Sequence, residues 1–167
     1  MGMKLTKSDI KKIEEEIEYR KITLRPKLLE DLKEARAQGD LSENFEYYAA
    51  KRANNKNNSR IRYLERMIGT AQIIEDTSSE DEVGINNWVT IYIEEDDAEE
   101  TYKIVTPIRA NSLKGFISIE SPLGKALLKH KVGDKVEVKV NDGYSYIAEI
   151  RDLDSSTDDS EDEISSY

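Results

Sequence analysis

The spacing of apolar residues changes at Gly69, and this change divides the chain into two kinds of structure. Before Gly69, apolar residues recur every three or four positions, which is the period of one face of an α-helix. After Gly69 they alternate with polar residues, which is the period of a β-strand with one buried face. The pattern therefore predicts an α+β chain, helical in its N-terminal part and sheet-forming in its C-terminal part.

The N-terminal pattern predicts two long helices joined by a tight turn. The first should run from Ser8 to Gln38, and its apolar positions are Ile10, Ile13, Ile17, Leu24, Leu28, Leu32 and Ala35. Pro26 lacks the N–H that a helix interior needs, so we expect a kink or break at residues 23–25. Gly39 should end this helix, and the second should run from about Leu41 to Ile68.

Two arrangements of these helices fit the apolar pattern about equally well. An antiparallel, coiled-coil-like finger buries a narrow stripe on each helix without help from the rest of the chain. An ordinary pair of helices packed on the remaining structure is the alternative. Residues 51–60, in the middle of the second helix, are almost wholly polar. This scarcity of apolar side chains favours the finger.

The C-terminal pattern predicts a small, mainly antiparallel sheet with one short helix. Strands are expected at residues 88–93, 101–105, 115–119, 135–140 and 144–150. Asn141-Asp142-Gly143 predicts a tight hairpin turn, because these residues tolerate a positive φ. Ser121 and Pro122 predict the N-cap and the first residue of the short helix.

Acidic residues dominate the end of the chain. Residues 152–167 contain seven acids and no base, so they offer little apolar surface to bury, and we expect a disordered tail. The predicted divisions are a finger domain at 1–76, a sheet domain at 77–151 and the acidic tail at 152–167.

The composition excludes several classes of site. The chain has no Cys and one His, which rules out disulfides, zinc–thiolate sites and multi-histidine metal sites. His130 is more typical of an exposed residue than of a catalytic base. No apolar run is long enough to cross a bilayer and no signal peptide begins the sequence, so we expect a cytoplasmic protein with no membrane partner.

Two acids at the finger tip form the first candidate site. Asp40 and Glu43 lie three residues apart at a helix start. That spacing is typical of a capping box, in which the side chains only satisfy backbone groups. Carboxylate oxygens are also hard ligands, and one or two of them can hold a Mg²⁺ that keeps most of its waters. Both interpretations stay open from the spacing alone.

A basic stripe on the second helix forms the other candidate site. The chain carries 25 Lys and Arg against 35 Asp and Glu, for a net charge of −10, yet one short stretch is basic. Its residues are Lys51, Arg52, Lys56, Arg60, Arg62 and Arg66. Such a stripe can neutralise nucleic-acid phosphates, although a charged helix face is more often simply solvated.

The sequence at the expected tip resembles a known family. Residues 39–51, GDLSENFEYYAAK, closely resemble the tip of the bacterial Gre transcript-cleavage (transcription elongation) factors. Residues 121–128, 132–134 and 136–138 look like the signature of that family's C-terminal domain, and smaller matches lie in the right order at Arg25-Pro26, 71–74 and 101–105. The resemblance spans roughly residues 8–151.

This resemblance implies a fold and an activity. The fold is an N-terminal antiparallel coiled coil followed by a C-terminal domain of FKBP-like fold. In the family, the globular domain docks at the secondary channel of bacterial RNA polymerase and the coil reaches down that channel to the active centre. The polymerase then cleaves the extruded RNA 3′ end of a backtracked complex. The chain itself is expected to be a monomer that stimulates this cleavage without being an enzyme alone.

The resemblance also implies roles for the candidate residues. Asp40 and Glu43 match the two tip acids that help hold a second Mg²⁺ in the polymerase and position the attacking water. No cofactor is expected on the isolated protein. Lys51, Arg52, Lys56 and Arg60 are expected to face the extruded RNA or the channel walls. Residues 52–59 depart from the family pattern because they are basic and rich in Asn.

Two other functions remain to be weighed against cleavage stimulation. The altered stretch 52–59 is compatible with a regulator that occupies the secondary channel without stimulating cleavage, although the intact tip acids argue against it. An independent prolyl isomerase is suggested only by the analogy of fold, and a fold alone does not imply an activity.

Overall fold

The computed structural model describes residues 2–40 and 44–166, which form two compact units. One unit is Met1–Gly2 with Ile10–Ala71, and the other is Met3–Asp9 with Gln72–Tyr167. The first is a helical hairpin and the second contains the sheet, as the change of spacing at Gly69 predicts. The division lies at Ala71 rather than at residue 76. Within the described ranges, no helix is both long and apolar enough to cross a membrane.

The helical unit is an antiparallel hairpin. Its first arm consists of α1 (Lys7–Glu18), a π-helical turn (Tyr19–Leu24) and α2 (Arg25–Arg36), and its second arm is α3 (Phe45–Thr70). Hydrogen bonds join Ala35 to Asn44, Arg20 to Asn57 and Glu16 to Arg60. Residue numbers fall along one arm as they rise along the other, so the predicted antiparallel arrangement is confirmed.

The first arm widens at its centre instead of breaking before Pro26. Inward-facing positions keep a three-four spacing along the arm, through Ile17, Arg20, Leu24 and Leu28. The backbone N–H of Arg25 donates to the carbonyl of Arg20, which is the bond of a π-helical turn. Arg25 keeps helical angles, with φ −56° and ψ −48°. The predicted departure of Arg25 from helical angles is therefore wrong, and the irregularity directly before Pro26 is a π-helical turn rather than a break.

The centre of the hairpin is polar and enclosed. Asn57 is 2% exposed and Arg60 is 4% exposed. Asn57 accepts from Arg20 at 3.0 Å and donates back to the Arg20 carbonyl at 3.2 Å. Glu16 Oε2 accepts from both Arg60 Nε and Arg20 Nε at 2.8 Å. The Asn-rich stretch thus supplies directional contacts across the hairpin, and such contacts specify one alignment of two helices more sharply than apolar packing does.

Low pH is expected to loosen this centre. Burial raises the pKa of Glu16, but hydrogen bonds from Arg60 and Arg20 outweigh that effect and hold the pKa below the ordinary glutamate value of 4.5. Its stabilising contribution is therefore complete above pH 4.5 and is lost as the pH falls through the lower folded-state pKa. In acid titrations followed by circular dichroism, Glu16→Gln should be less stable than wild type at neutral pH and should converge on it at low pH. The exposed-site change Glu14→Gln should follow wild type throughout.

The second unit contains a five-stranded sheet and a small two-stranded one. The five strands are β3 (Trp88–Ile93), β4 (Ala98–Val105), β5 (Phe116–Ser118), β6 (Lys135–Asn141) and β7 (Tyr144–Asp154), in the spatial order β5-β4-β3-β7-β6. All neighbours are antiparallel except the parallel pair β4–β5. The short strands β1 (Lys4–Leu5) and β2 (Gln72–Ile73) pair in parallel.

The core of this unit lies on one face of the five-stranded sheet. Alternate residues of β3 are buried, as their alternating pattern predicts. The short helix α4 (Pro122–Leu127) covers this face and buries Leu127, and Ser121 caps it by accepting from the N–H of Gly124 at 3.0 Å. The core side chains belong to Val83, Ile85, Val89, Ile91, Ile93, Ile104, Ile119, Leu127, Val136, Val138, Ala148 and Ile150.

The turn between β6 and β7 forms where it was predicted, but a side-chain hydrogen bond closes it instead of a positive φ. Asn141 and Tyr144 pair across the hairpin. The N–H of Gly143 donates to the side-chain oxygen of Asn141 at 2.9 Å. None of the residues 141–143 has a positive φ. The side chain of Asn141, rather than left-handed backbone angles, closes this turn.

The C-terminal segment is not the solvated tail that its composition predicts. Strand β7 continues to Asp154, and the segment beyond it lies against the sheet unit. Asp162 is only 8% exposed, because its carboxylate is paired with the buried Lys103 and Arg109. The N–H of Ser165 also donates to the carbonyl of Ile108 at 2.7 Å. Composition misses this docking because the partners lie more than fifty residues away in the sequence.

Candidate functional site

The end of the hairpin is held by residues on both sides of the turn. Gly39 has φ +110°, a value that favours glycine, and it lies just after α2. Asn44 caps α3, because its side-chain oxygen accepts from the N–H of Tyr47 at 3.0 Å. Its side-chain nitrogen also donates to the carbonyl of Ala35 at 2.7 Å. Asn44 therefore ties the start of α3 to the end of α2.

An aromatic contact adds a second tie at the same end. The guanidinium of Arg36, in the last turn of α2, lies 5.7 Å from the centre of the Tyr47 ring, within the range of a cation–π interaction. Tyr47 in turn packs edge-on against Tyr48. The two arms are thus joined immediately before and after residues 41–43, and the neighbouring Asp40 is held next to an ordered pair of helix ends.

Of the two predicted tip acids, the structure places one. Asp40 is exposed at the hairpin end, beyond the last turn of α2. Glu43 lies outside the described residues. The described cap bond at the start of α3 is made by Asn44. A carboxylate at an exposed helix end is a hard, accessible oxygen donor, and this donor type fits a Mg²⁺ that keeps several waters.

The predicted basic stripe is only partly a surface. Lys51, Arg52 and Lys56 are exposed on α3. Arg60 is buried instead, paired with Glu16, and its guanidinium lies 5.5 Å from the ring centre of Tyr63. The expectation that Arg60 faces RNA or a channel wall is corrected accordingly, because its charge is already used inside the hairpin. Contact with a phosphate backbone is left to the exposed residues of the stripe, which are Lys51, Arg52, Lys56, Arg62 and Arg66.

A buried ionic cluster in the sheet unit was not predicted from the sequence. We call it the Arg109 cluster, and its side chains belong to Asp9, Asn86, Lys103, Thr106, Arg109 and Asp162. Arg109 Nε donates to Asp9 at 2.7 Å, and its Nη1 donates to Asn86 at 2.6 Å and to Asp162 at 2.8 Å. No local pattern in the sequence predicts the Arg109 cluster, because Asp9 and Arg109 are one hundred positions apart.

Asp9 also begins α1. Its carboxylate accepts from the N–H of Thr6 at 2.9 Å, while its own N–H donates to the Thr6 hydroxyl at 3.2 Å. This reciprocal pair is a capping box. The spacing of Thr6 and Asp9 was the one available clue to the position of Asp9, and it predicts only a helix start.

Within residues 2–40 and 44–166, no three side chains of His, Cys, Asp or Glu come together in a way that could hold a metal ion. His130 is half-exposed and lies 3.1 Å from Asp134.

Comparisons with known proteins match both units. Residues 3–73 match the family described as "Transcription elongation factor, N-terminal", and residues 78–155 match "Transcription elongation factor, GreA/GreB, C-term". Together the two matches cover most of the chain, including the hairpin end and the five strands of the larger sheet.

Individual relatives agree with these matches. The chain is 43% identical over 141 residues to the transcription elongation factor GreA of Thermotoga neapolitana, covering 84% of this chain and 90% of that one. It is 44% identical over 139 residues to the GreA of Macrococcus caseolyticus, covering 83% and 88% of the two chains. The GreA of Brucella anthropi is 40% identical over 140 residues, with 83% and 89% covered. Identity at this level over nearly the full length of both chains means that the protein belongs to the GreA/GreB family of transcription elongation factors.

Proposed function

We propose that this protein is a transcription elongation factor that stimulates RNA polymerase to cleave the extruded RNA 3′ end of a backtracked complex. The observation that carries the proposal is the exposed Asp40 at the end of a braced hairpin, in a chain that matches the family over both units. The factor acts as a monomer in the cytoplasm, and its partners are the polymerase and the nascent RNA.

The chain contributes ligands rather than a complete active site. Asp40 and Glu43 present carboxylate oxygens to a catalytic centre that the polymerase supplies, and they orient the water that attacks the RNA phosphodiester. A Mg²⁺ shared with the polymerase stabilises charge on the attacking and leaving oxygens. In this proposal the factor is not an enzyme alone, since the reacting phosphate and most of the metal ligands belong to its partner.

Rigidity of the hairpin is part of the proposed function. Catalytic ligands act only when they are held close to the productive geometry. Asn44 and the Arg36–Tyr47 contact brace the end, and the bonds of Asn57 and Arg60 brace the centre. These contacts prevent one arm from sliding along the other. The position of Asp40 along the hairpin is therefore fixed before the factor binds RNA polymerase.

The proposal is tested by adding the protein to backtracked bacterial polymerase complexes in the presence of Mg²⁺. Shortening of the RNA from its 3′ end, followed by resumed elongation, supports cleavage stimulation. Displacement of a known secondary-channel ligand without any shortening would overturn it and favour the alternative, a regulator that occupies the channel. That alternative is motivated by residues 52–59, whose sequence departs from the family pattern.

The exposed basic residues in the half of α3 nearest the hairpin end, Lys51, Arg52 and Lys56, should determine the salt dependence of the activity. Replacing Lys51, Arg52 and Lys56 by Ala is expected to raise the factor concentration needed for half-maximal cleavage. The slope of log affinity against log salt should fall by about 0.7 for each single-stranded phosphate contact that is lost.

A matched control for this prediction is available on the other arm of the hairpin. Replacing Lys11, Lys27 and Lys33, which are also exposed, removes the same net charge from a different surface. The control variant should keep the wild-type salt slope. Equal slopes for the two triple variants would mean that the net charge, and not the surface on α3, governs the interaction.

A further inference from the structure

We propose that the pocket formed by Lys103 and Arg109 is a binding site for an aspartate side chain of an acidic peptide. We further infer that residues 155–166 of the chain occupy this site as a displaceable ligand. The site lies wholly within the sheet unit and is separate from the tip acids. The proposal does not depend on polymerase cleavage.

The contacts of Lys103 are those of a ligand-binding residue. Its Nζ donates to the two carboxylate oxygens of Asp162 at 2.8 and 2.9 Å, and to the carbonyl of Asp158 at 2.8 Å. Within the described residues, every hydrogen bond of this ammonium group therefore goes to the C-terminal segment. The ring of Phe116 forms the floor, with its centre 5.1 Å from Nζ. Lys103 is buried, and among the described residues its ion-pair partner is Asp162.

Arg109 supplies the second half of the site. Its Nη1 donates to the same carboxylate of Asp162 at 2.8 Å. Its Nη2 is buried and has no hydrogen-bond partner. With the segment in place, the positive charges of Lys103 and Arg109 are balanced by Asp162 and Asp9. Without the segment, Asp9 still pairs with Arg109, but Lys103 loses the carboxylate with which it is paired, so the pocket keeps a preference for one anion.

The backbone around Asn86 is shaped to receive the segment. Asn86 has φ +76°, a conformation that Asn tolerates better than most residues. In this conformation its side-chain oxygen accepts from Arg109 and its backbone carbonyl accepts from the hydroxyl of Thr157. One residue therefore both orients the guanidinium and holds the incoming chain.

The segment is not part of the sheet, and this is the basis on which we infer that it is displaceable. No strand pairing continues beyond Asp154 among the residues described. Most of its acids are exposed, and its single large apolar side chain in the described part, Ile164, is only half-buried. Among the described contacts, the buried ion pairs of the segment are those of Asp162, and the Ser165 backbone bond, the Asp158 carbonyl and the Thr157 hydroxyl add to them. A peptide that presents an aspartate can make the same contacts.

The pocket lies inside the region that matches the family, whereas the aspartate bound in it lies outside that region. Lys103 and Arg109 lie inside the matched region 78–155, whereas Asp162 lies beyond it. The pocket is thus part of the matched unit and its occupant is not. A tethered ligand has an effective concentration in the millimolar range, so a free peptide competes poorly until the tethered aspartate is weakened.

The test uses the full chain and a fluorescent peptide with the sequence of residues 155–167. Binding is measured by fluorescence anisotropy at low salt, with wild type, Asp162→Asn and Glu161→Gln. Glu161 is the neighbouring exposed acid, so its variant carries the same charge change without altering the pocket. We expect Asp162→Asn to bind the peptide at least about tenfold more tightly than the other two proteins, because its own segment no longer neutralises the site. A peptide carrying the Asp162→Asn change should not bind.

A second measurement follows the docking within one chain. Hydrogen exchange of the Ser165 amide should be at least about tenfold faster in Asp162→Asn than in Glu161→Gln, because that amide is protected only while the segment is docked. Equal peptide affinities in a folded Asp162→Asn protein would overturn the proposal. If Asp162→Asn does not fold, a protease site inserted after Ser156 allows the segment to be cut from folded protein. Peptide binding after the cut then supports the proposal, and its absence overturns it.

Discussion

Replacing Asp40 and Glu43 together by Ala is expected to abolish RNA shortening in backtracked polymerase complexes while leaving the helical hairpin folded. The two carboxylates are proposed to hold and orient groups at the reacting phosphate, and losing even the side chains that only support metal ligands costs about 10–100-fold in activity. The fold should persist, because the cap of α3 is Asn44 and the inter-arm bond runs from Asn44 to Ala35. The rate of cleavage and the affinity for polymerase are measured in parallel.

Acids on the adjacent helix provide the control for that experiment. Asp31 and Glu34 are exposed on α2, and replacing both by Ala removes the same charge from the same arm. This control should cleave at the wild-type rate. The single change Asp40→Ala is also informative, because Asp40 is the tip acid that the structure describes. Undiminished cleavage by the double tip variant, at equal polymerase occupancy, would disprove the ligand role.

Removing the carboxylate of Asp9 is expected to cause the largest loss of stability. The side chains of Asp9 and Arg109 are both fully buried, with 2.7 Å between Oδ1 and Nε. Breaking such a pair leaves a buried charge without its partner, which costs about 3–5 kcal/mol. Asp9→Ala also removes half of the capping box with Thr6, which contributes on the order of 1 kcal/mol. Denaturant unfolding of the full chain, followed by the fluorescence of Trp88, measures the effect in the sheet unit.

Two further variants show whether the buried charge is the cause. Glu15→Ala changes an exposed acid of the same helix and should shift the unfolding free energy by no more than about 0.5 kcal/mol. The double variant Asp9→Ala with Arg109→Met should recover part of the loss, because it removes the unpaired cation as well. A loss below about 1 kcal/mol for Asp9→Ala would mean that water or another group replaces the carboxylate.

Periodicity alone predicts most of the architecture. The three-four spacing locates both arms of the hairpin, and the alternation at residues 88–93 gives β3 with its buried face. Ser121 and Pro122 predict the start of α4 to the residue. These features depend on neighbours a few positions apart, so the information needed to predict them is present within a short window of sequence.

The features that sequence analysis missed depend on partners far along the chain or on competing local signals. The pairing of Asp162 with Lys103 and Arg109 joins segments that composition treats as unrelated. Arg60 resembles its exposed neighbours until Glu16 is placed opposite it. At the hairpin end, both Asp40 and Asn44 are good N-cap residues, and the choice of Asn44 depends on its second bond to Ala35.

The π-helical turn at Tyr19–Leu24 also affects how this hairpin can change in length. Deleting a residue elsewhere in α1 or α2 rotates every later side chain by about 100°, which takes the inward face of the arm out of contact with α3. A deletion inside the turn instead converts the five-residue step between Arg20 and Arg25 into an ordinary four-residue step. The turn is therefore the place where evolution, or an engineer, can remove one residue from this arm without disturbing the packing on either side of it.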